Sequence, residues 1–521
     1  MLVHDFLRES AERTPDAVAI LEPGASATYG VVNARANRVA HTLIGVGVRR
    51  GDRVVLAMDD GVESVACYFG AMKAGAVAVP LPPGPHNDRL ARAVADCRPT
   101  AAIVNPATAH DAVAREALAA LPTVFVTKVP DGAGLSAPFG AWSVASAEAP
   151  ETEPGLRLID LDLAAIIYTS GSTGQPRGAM LSHLNIRSNT ESIVEYLHLT
   201  AADRVMCVLP FYYVYGLSLL HTHVKVGGSV IVDTRFAFPN VVLKAMQELR
   251  ATGFAGVPST FALLMHKSNL TRMDFPDLRY VTQAGGGMPP ARIREWLEKG
   301  PKAAFYVMYG ATEASARLTY LEPADLERKL GSIGRGIPNV EMLVVTDEET
   351  VAAPGEVGEL VARGSNISHG YWNNAEETAA RFGPLGYRTG DLGFADDEGF
   401  LFLVGRKHDM IKVGAHRVGA KEIEDVLNEH PAISEAAVVP VQHQILGEAP
   451  LAFIALRQDA VFDAWDIQSF CRSRLPVHKI PIEFVPVPAL PKSAIGKIDK
   501  LTLRRMAAER PGRATETVEA R

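Results

Sequence analysis

The sequence predicts an α/β protein built from a large N-terminal domain of several subdomains, with mixed and parallel sheets, and a small α+β C-terminal domain. Three observations carry this expectation. Short apolar segments alternate with helical patterns along most of the chain, as they do where helices layer onto a largely parallel sheet. The chain has 521 residues, more than one core can fill. The composition also changes near Gly405, beyond which a compact module of helices and strands begins. Along the chain, Arg53–Met58 reads as a strand and Val62–Lys73 as the helix that follows it. Ala101–Val104, Thr123–Val126, Leu163–Ile167, Gly227–Val232 and Ala304–Met308 read as further strands. Pro80–Pro85 is a rigid surface loop, and Asp131–Pro154 a connector of small residues. In the C-terminal module Lys421–Glu429 and Asp463–Arg474 read as helices, and Ala436–Pro440 and Leu451–Leu456 as strands. The expected boundaries are 1–405, 406–510 and a polar, disordered tail over 511–521.

Hydrophobic content of 47% and charged content of 21% are those of a globular chain. A net charge of −7 without a long basic block gives no footprint for nucleic acid. Met1–Phe6 lacks the charged start of a secretory signal, and no apolar run reaches the roughly 18–20 residues of a membrane span, so a cytoplasmic location is expected. Cys67, Cys97, Cys207 and Cys471 lack the paired spacing of a zinc or redox site and are expected to be reduced.

The most informative stretch follows the apolar run Leu163–Ile167. It reads Tyr168-Thr169-Ser170-Gly171-Ser172-Thr173-Gly174-Gln175-Pro176-Arg177-Gly178. Glycines let backbone N–H groups close on an anion and hydroxyls add donors, which is the chemistry of holding a polyphosphate. A flexible Ser/Gly loop is the plain alternative, and it leaves the strand before and the Pro-Arg-Gly exit after without a reason. No Gly-x-x-x-x-Gly-Lys-Ser/Thr spacing occurs, so this is not the common P-loop. The stretch resembles the phosphate-binding signature of the AMP-forming acid–thiol ligase superfamily, which includes acyl-CoA synthetases, aryl-CoA ligases and the adenylation domains of peptide synthetases. Arg177 stands where that signature usually has lysine, keeping the charge but replacing a point charge by a planar fork.

Five further segments appear in the order of that superfamily, and the resemblance extends from about residue 20 to Lys500. It implies an adenylate-forming N-terminal domain closed by a mobile C-terminal lid. Thr169, Ser170, Gly171, Ser172, Thr173, Gly174 and Arg177 would hold ATP phosphates. In Tyr309-Gly310-Ala311-Thr312-Glu313, Tyr309 would flank adenine, Thr312 touch the α-phosphate and Glu313 hold Mg²⁺. Thr-Glu alone is more often a helix cap than a metal site. Gly285-Gly286-Gly287 would pass adenine on one side and the acyl pocket on the other, since residues without a Cβ admit a flat ring. Asp391 and Arg406 would contact the ribose, with Gly358–Leu360 and Gly370–Trp372 mainly structural between the matched segments. Lys497, in Pro491-Lys492-Ser493-Ala494-Ile495-Gly496-Lys497, would be the catalytic lysine bridging substrate carboxylate and α-phosphate. His408 occupies the hinge position, usually Asp or Lys in the superfamily, and Gly414 would lie beside the thiol channel.

Pro210–Gly216 matches the segment that lines the acyl pocket. Its Tyr212, Tyr213 and Gly216, with Val257, Pro258, Ser259, Ala284, Gly285, Met308 and Ala316, are the expected walls. No acid lies between Pro210 and Leu220 to pair with the ammonium of an α-amino acid, so an apolar fatty or aryl acid is expected. Arg317 is expected at the surface, where charged side chains usually remain; pointing inward, it would favour a dicarboxylic acid. The function implied is ATP- and Mg²⁺-dependent conversion of a carboxylic acid to an acyl-adenylate, then transfer to the thiol of CoA or of a carrier-protein phosphopantetheine supplied in trans. A stand-alone adenylation enzyme that loads a carrier protein and a non-catalytic nucleotide-binding homologue are the alternatives.

Overall fold

A computed structural model of the protein describes residues 1–85, 88–129, 135–170, 176–414, 416–492 and 496–510. The expected disordered tail and Gly171, Ser172, Thr173 and Gly174 of the glycine-rich loop lie outside these residues. The described strands form sheets of fourteen, seven and five strands.

The seven-stranded sheet is built from Arg53–Ala57, Val77–Pro80, Ala101–Val104, Thr123–Val126 and Phe139–Ala141, all parallel, and is closed by the hairpin Leu163–Ser170/Pro176–Ser182. Ser170 pairs with Pro176, so the strand expected before the phosphate loop and the chain leaving it are one antiparallel hairpin. The segment Asp131–Pro154 is more than a connector. Its Phe139 and Trp142 are buried, which makes Phe139–Ala141 the sheet's edge strand and starts the helix Trp142–Ser146.

In the fourteen-stranded sheet, Ser229–Val232, Arg204–Cys207, Gly253–Gly256, Tyr280–Gln283 and Ala304–Tyr309 run parallel in that spatial order. Helices such as Val214–Val226, Pro239–Glu248, Pro258–Lys267 and Pro290–Lys299 connect or flank these strands and supply the right-handed crossovers expected of parallel neighbours. Such strands lose water from both faces, and Ser229–Val232, Gly253–Gly256 and Tyr280–Gln283 are buried at every position. Beyond Ala304–Tyr309 the pairing turns antiparallel, and the sheet continues through Gly358–Gly364, Gly386–Ala395 and Leu401–Arg406.

Leu401–Arg406 belongs to this large sheet and Met410–Val413 to the five-stranded one, with only the single turn Lys407–Asp409 between them. Each side of the turn is tied to a different body. Lys407 Nζ lies 3.3 Å from Glu359 Oε2 in the large sheet, whereas Arg504 Nη2 donates to Asp409 Oδ1 at 2.7 Å from the last helix, Lys500–Ala508. The helix Ala420–Glu429, the strands Ile433–His443 and Gly447–Leu456, and the helix Ala464–Arg472 capped by Asp463 occupy the positions expected from sequence. Across the interface Arg292 Nη2 donates to the carbonyls of Ile433 at 3.1 Å and Ser434 at 2.5 Å.

The core under the parallel strands is largely aliphatic and holds a cluster of aromatic rings. Trp296 packs edge-on against Phe261 with centroids 4.9 Å apart, and Phe261 also meets Phe305 at 5.5 Å. Replacing Trp296 by Ala is therefore expected to cost about 3–5 kcal/mol of stability, read as a lowered urea midpoint. Trp296→Phe should cost much less, because the indole N–H has no partner to lose. Equal losses in the two variants would show that ring packing is not the source of the stability.

Candidate active site

Three structural elements converge at the C-terminal end of the parallel strands, the usual place for a ligand crevice in an open α/β sheet. The first is the end of Ala304–Tyr309 with the short turn Thr312–Ala314. Tyr309 donates from its hydroxyl to Asp391 Oδ2 at 2.6 Å, and Arg406 Nε donates to Asp391 Oδ1 at 3.2 Å. Asp391 and Arg406 face each other because their strands pair in register there. Burial and the Asp391 carboxylate push the Tyr309 phenol well above its ordinary range, so it stays a donor. Each carboxylate oxygen retains a lone pair after these bonds, which leaves Asp391 able to accept from ribose hydroxyls.

Glu313 Oε1 accepts from Tyr371 Oη at 2.7 Å, and the Glu313 carbonyl accepts from Ser368 N at 2.7 Å. Burial, then Glu313, drive the Tyr371 phenol upward and keep it protonated. Among the described residues no group of three or more His, Cys, Asp or Glu side chains could enclose a metal. A single oriented carboxylate suits Mg²⁺, which takes most of its ligands from substrate phosphates and water and does not need an all-protein cage. Arg177 meets the same cluster from the hairpin. Its Nη1 lies 2.6 Å from Glu377 Oε1, and its guanidinium carbon is 5.8 Å from the centre of the Tyr371 ring. The Arg177 fork is thus anchored at one end by a carboxylate, where the expectation gave it only phosphates. Thr169 Oγ1 donates to the Arg177 carbonyl at 3.4 Å across the hairpin.

The second element is the glycine run. Gly285 has φ +82°, and a Cβ there would stand 2.7 Å from Tyr213 Oη and 3.0 Å from Val257 Cγ1. Gly286 and Gly287 approach Pro258 and Lys421 at 3.4 and 3.2 Å in the same sense, and the Gly286 carbonyl accepts from Gln283 Nε2 at 2.7 Å. Ala284 and Val257 are buried beneath the run.

The third element comes from the C-terminal domain. Ser259 Oγ donates to the Gly496 carbonyl at 2.8 Å, fixing the loop that carries Lys497. Lys497 Nζ sits 5.6 Å from the centre of the Tyr213 ring, and its Cε is 3.7 Å from where a Cβ on Gly285 would lie. Burial, and then the neighbouring Arg406 charge, pull the Lys497 ammonium down to about 8, while Asp391 and Glu313 act in the opposite direction. The structure therefore brings Lys497, Tyr309, Glu313, Asp391, Arg406, Tyr213 and Gly285 to one place, and Thr312 lies in the turn beside them.

Four further residues singled out in the sequence are placed as follows. Gly216 is inside the helix Val214–Val226, where a Cβ would stand 2.4 Å from the Pro210 carbonyl oxygen and 2.7 Å from that of Leu209. The absence of a Cβ lets the helix close on that turn. Tyr212 lines a cavity of about 20 Å³ with Met58, Asp60, Ser64 and Tyr68. Gly414, at φ +58°, stands in open space at the turn after Met410–Val413, its N–H donating to the Leu446 carbonyl at 2.8 Å. Arg317, expected at the surface, is 3% exposed. Its buried partners Met308 and Tyr215 explain the difference: the guanidinium lies over the Tyr215 ring and covers the Met308 sulfur. His408 lies in the turn Lys407–Asp409 between the two domains.

Sequence reasoning passed over Tyr371 and Glu359 as structural. Glu359, 6% exposed, accepts from Gly390 N at 3.1 Å and Arg388 Nη1 at 3.2 Å while pairing with Lys407, so it links the Asp391 strand to the hinge. A buried glutamate beside Gly-x-Leu in an otherwise apolar strand was the available signal. Asp60 was also missed. Its Oδ2 accepts from Phe211 N at 3.2 Å, and burial raises its carboxyl to about 7.

The site and fold define an adenylate-forming enzyme, and comparison with known proteins agrees. Residues 7–372 match the model of the AMP-binding enzyme family, and residues 422–497 that of the AMP-binding enzyme C-terminal domain. A long-chain-fatty-acid–CoA ligase of Bacillus subtilis is 30% identical over 522 residues, covering 95% of this chain and 93% of its own. The structure of the anthranilate CoA ligase AuaEII with anthranoyl-AMP has a TM-score of 0.89 at 27% identity, covering 97% of both chains. That of the Bacillus subtilis o-succinylbenzoate CoA synthetase with ATP and a magnesium ion has a TM-score of 0.83 at 26% identity, covering 96% of this chain and 99% of its own. The chain belongs to the AMP-binding enzyme family, the AMP-forming acid–thiol ligases.

Removing the Lys497 ammonium should lower acyl-adenylate formation by at least about a hundredfold, the scale of losing one positioned transition-state charge. In Lys497→Ala, thioester formation from supplied acyl-adenylate should change far less. Equal losses in the two half-reactions would remove Lys497 from the role its position suggests.

Proposed function

We propose that this protein activates a carboxylic acid with ATP to an acyl-adenylate and transfers the acyl group to the thiol of CoA. The observation that carries the reading is a cation from the C-terminal domain, Lys497, held beside Tyr213 and Gly285 and within the field of Asp391, Arg406 and Glu313. In the first half-reaction the acid's carboxylate attacks the α-phosphorus in line and pyrophosphate leaves. In the transition state charge is spread over the non-bridging α-phosphate oxygens and the departing pyrophosphate, and the Lys497 ammonium and the Thr312 hydroxyl would stabilise it on the α-phosphate. Asp391 and Arg406 hold the ribose, Tyr309 borders the adenine, and the glycine run admits the flat ring on one face. Glu313, oriented by Tyr371, would hold Mg²⁺, which supplies charge neutralisation at the phosphates. The Ser170–Gly174 loop and Arg177 complete the phosphate contacts.

In the second half-reaction the thiol attacks the acyl carbon and AMP leaves. As the family resemblance implies, the C-terminal domain would rotate about the Lys407–Asp409 turn between the half-reactions, withdrawing Lys497 and opening a path for the thiol. The contacts that must break are those of Ser259 with Gly496 and Arg292 with Ile433 and Ser434. Gly414, in open space in the arrangement seen here, would then border the thiol channel. A carrier-protein phosphopantetheine is the rival acceptor; thioester formation with free CoA distinguishes the two.

The acid is expected to have an apolar body. The α-ammonium of an amino acid would sit next to the reacting carboxylate, beside Tyr213 and Gly285. The nearby acid Asp60 is engaged by the Phe211 N–H, and burial favours its neutral form. An unpaired ammonium there would cost several kcal/mol, against about 0.8 kcal/mol gained per buried methylene. Pyrophosphate exchange should accordingly favour phenylpropanoate over phenylalanine by at least about a hundredfold; a preference for the amino acid would overturn this pocket assignment and leave the ligase chemistry intact. Exchange should also require Mg²⁺ or Mn²⁺, with Glu313→Gln raising the metal concentration for half-maximal rate. An unchanged metal requirement in that variant would place the ion elsewhere.

A further inference from the structure

Arg317 is a charged side chain buried at 3% exposure whose interactions are all with neutral groups. Its guanidinium carbon lies 3.9 Å from the centre of the Tyr215 ring, its Nε points at Met308 Sδ at 3.4 Å, and its Nη1 donates to the Ala316 carbonyl at 3.1 Å. The Tyr196 and Tyr215 phenols face it as well. Among the described residues no carboxylate pairs with it. Guanidinium has five N–H donors and cannot discharge itself by losing a proton, so a site that dries it without an anion is incomplete.

Its position is set with some effort. Ser315 and Ala316 hold φ of +56° and +121°, a conformation non-glycine residues rarely adopt and which costs on the order of 1–3 kcal/mol per residue. Two buried amides pin the strained chain: Asn189 Nδ2 and Asn366 Nδ2 donate to the Arg317 carbonyl at 3.0 and 2.9 Å. Gly310 is needed opposite, where a Cβ would fall 1.9 Å from the Ala316 carbonyl oxygen. The strained turn follows directly on Thr312–Ala314, so it delivers Arg317 to the side of the reaction centre.

The two cations stand at the ends of one aromatic wall. From Lys497 the path runs 5.6 Å to the Tyr213 ring, 6.3 Å between the Tyr213 and Tyr215 rings, and 3.9 Å from the Tyr215 ring to Arg317. Met308 and Ala316, both expected walls of the acyl pocket, touch the guanidinium. We propose that Arg317 binds a second, distal carboxylate of the acid substrate, so that the enzyme activates a dicarboxylic acid at the end that reaches Lys497. The inference rests on the ligase reading above and specifies its acid: an apolar body spans the tyrosine wall, and a carboxylate at its far end accepts from the Arg317 fork, a bidentate geometry that guanidinium favours. The far carboxylate takes no part in the chemistry.

Pyrophosphate exchange by the full chain tests this with matched pairs: the straight-chain diacids from succinate to suberate against butyrate to octanoate, and terephthalate against 4-methylbenzoate. At least one diacid should exceed its partner in kcat/KM by about a hundredfold or more, the scale of one buried charge pair. Arg317→Met should abolish that advantage, chiefly through KM, while leaving monoacid exchange within a few fold of wild type. Arg317→Lys should retain part of the preference. Monoacids that match or exceed every diacid in the wild-type enzyme would overturn the proposal and leave the ligase reading standing, and this comparison holds whether or not the variants fold. A loss in Arg317→Met that falls equally on diacids and monoacids would assign Arg317 a purely structural role. Exchange with no acid at all would remove the ligase reading and this inference together.

Discussion

The structure depends on bringing an ammonium from one domain up to a cluster of charges in the other. Lys497 arrives from the C-terminal domain, where the protein atoms crowding its ammonium and the Arg406 charge pull it down to about 8, while the residue as a whole stays exposed. A lysine held that way gains most when negative charge appears beside it, which is what a polyphosphate entering the crevice supplies. On the proposed two-step reaction, carrying the cation on the C-terminal domain would let it leave once the adenylate has formed, which a lysine fixed in the N-terminal domain could not do.

The anchoring of the domain follows this logic. Its contacts with the large domain include a serine hydroxyl to the Gly496 carbonyl, one arginine to two strand carbonyls, and the ion pairs of Arg457 with Glu295 at 3.7 Å and Arg417 with Asp347 at 3.6 Å. Such bonds hold a geometry yet exchange readily with water. The turn that joins the domains is pulled from both sides, by Glu359 on Lys407 and by Arg504 on Asp409. Glu359 also steadies Gly390, the neighbour of Asp391, so the carboxylate proposed to hold the ribose and the Lys407–Asp409 turn share a foundation.

Much of this was legible in the sequence because it is local. Parallel strands buried on both faces appear as short apolar runs, and the helix Val62–Lys73 falls on its expected residues. The Tyr309–Glu313 segment, Asp391, Arg406 and Lys497 could be singled out because each lies in a short contiguous stretch that resembles a superfamily signature. What escaped depends on residues far apart in the chain. The Gly216 requirement comes from the carbonyls of Leu209 and Pro210 and only exists once the helix has folded back. Tyr371 orients Glu313 across 58 positions, and Arg177 finds Glu377 from another element altogether. The burial of Arg317 was misjudged because statistics for charged side chains speak of the average surface, whereas Tyr215, Tyr196 and Met308 enclose this one.

The protein also shows how it treats a buried cation that serves the fold alone. Lys73 has a side chain with no exposure, and its ammonium donates to Asn33 Oδ1 at 2.6 Å, Asn37 Oδ1 at 2.7 Å and Glu153 Oε1 at 2.5 Å. All three ammonium donors are used and one acceptor is a carboxylate, so the charge is neutralised where it stands. Arg292, also buried, has Glu295 at 2.8 Å. Arg317 is as deeply placed as any of these and is given a ring face, a thioether, phenols and a carbonyl instead. A chain that elsewhere closes its interior charges with carboxylates has withheld one at the end of its tyrosine wall. The missing acid has a natural source in the substrate, and the strained turn at Ser315 and Ala316 is explained if it serves to present the guanidinium to that substrate.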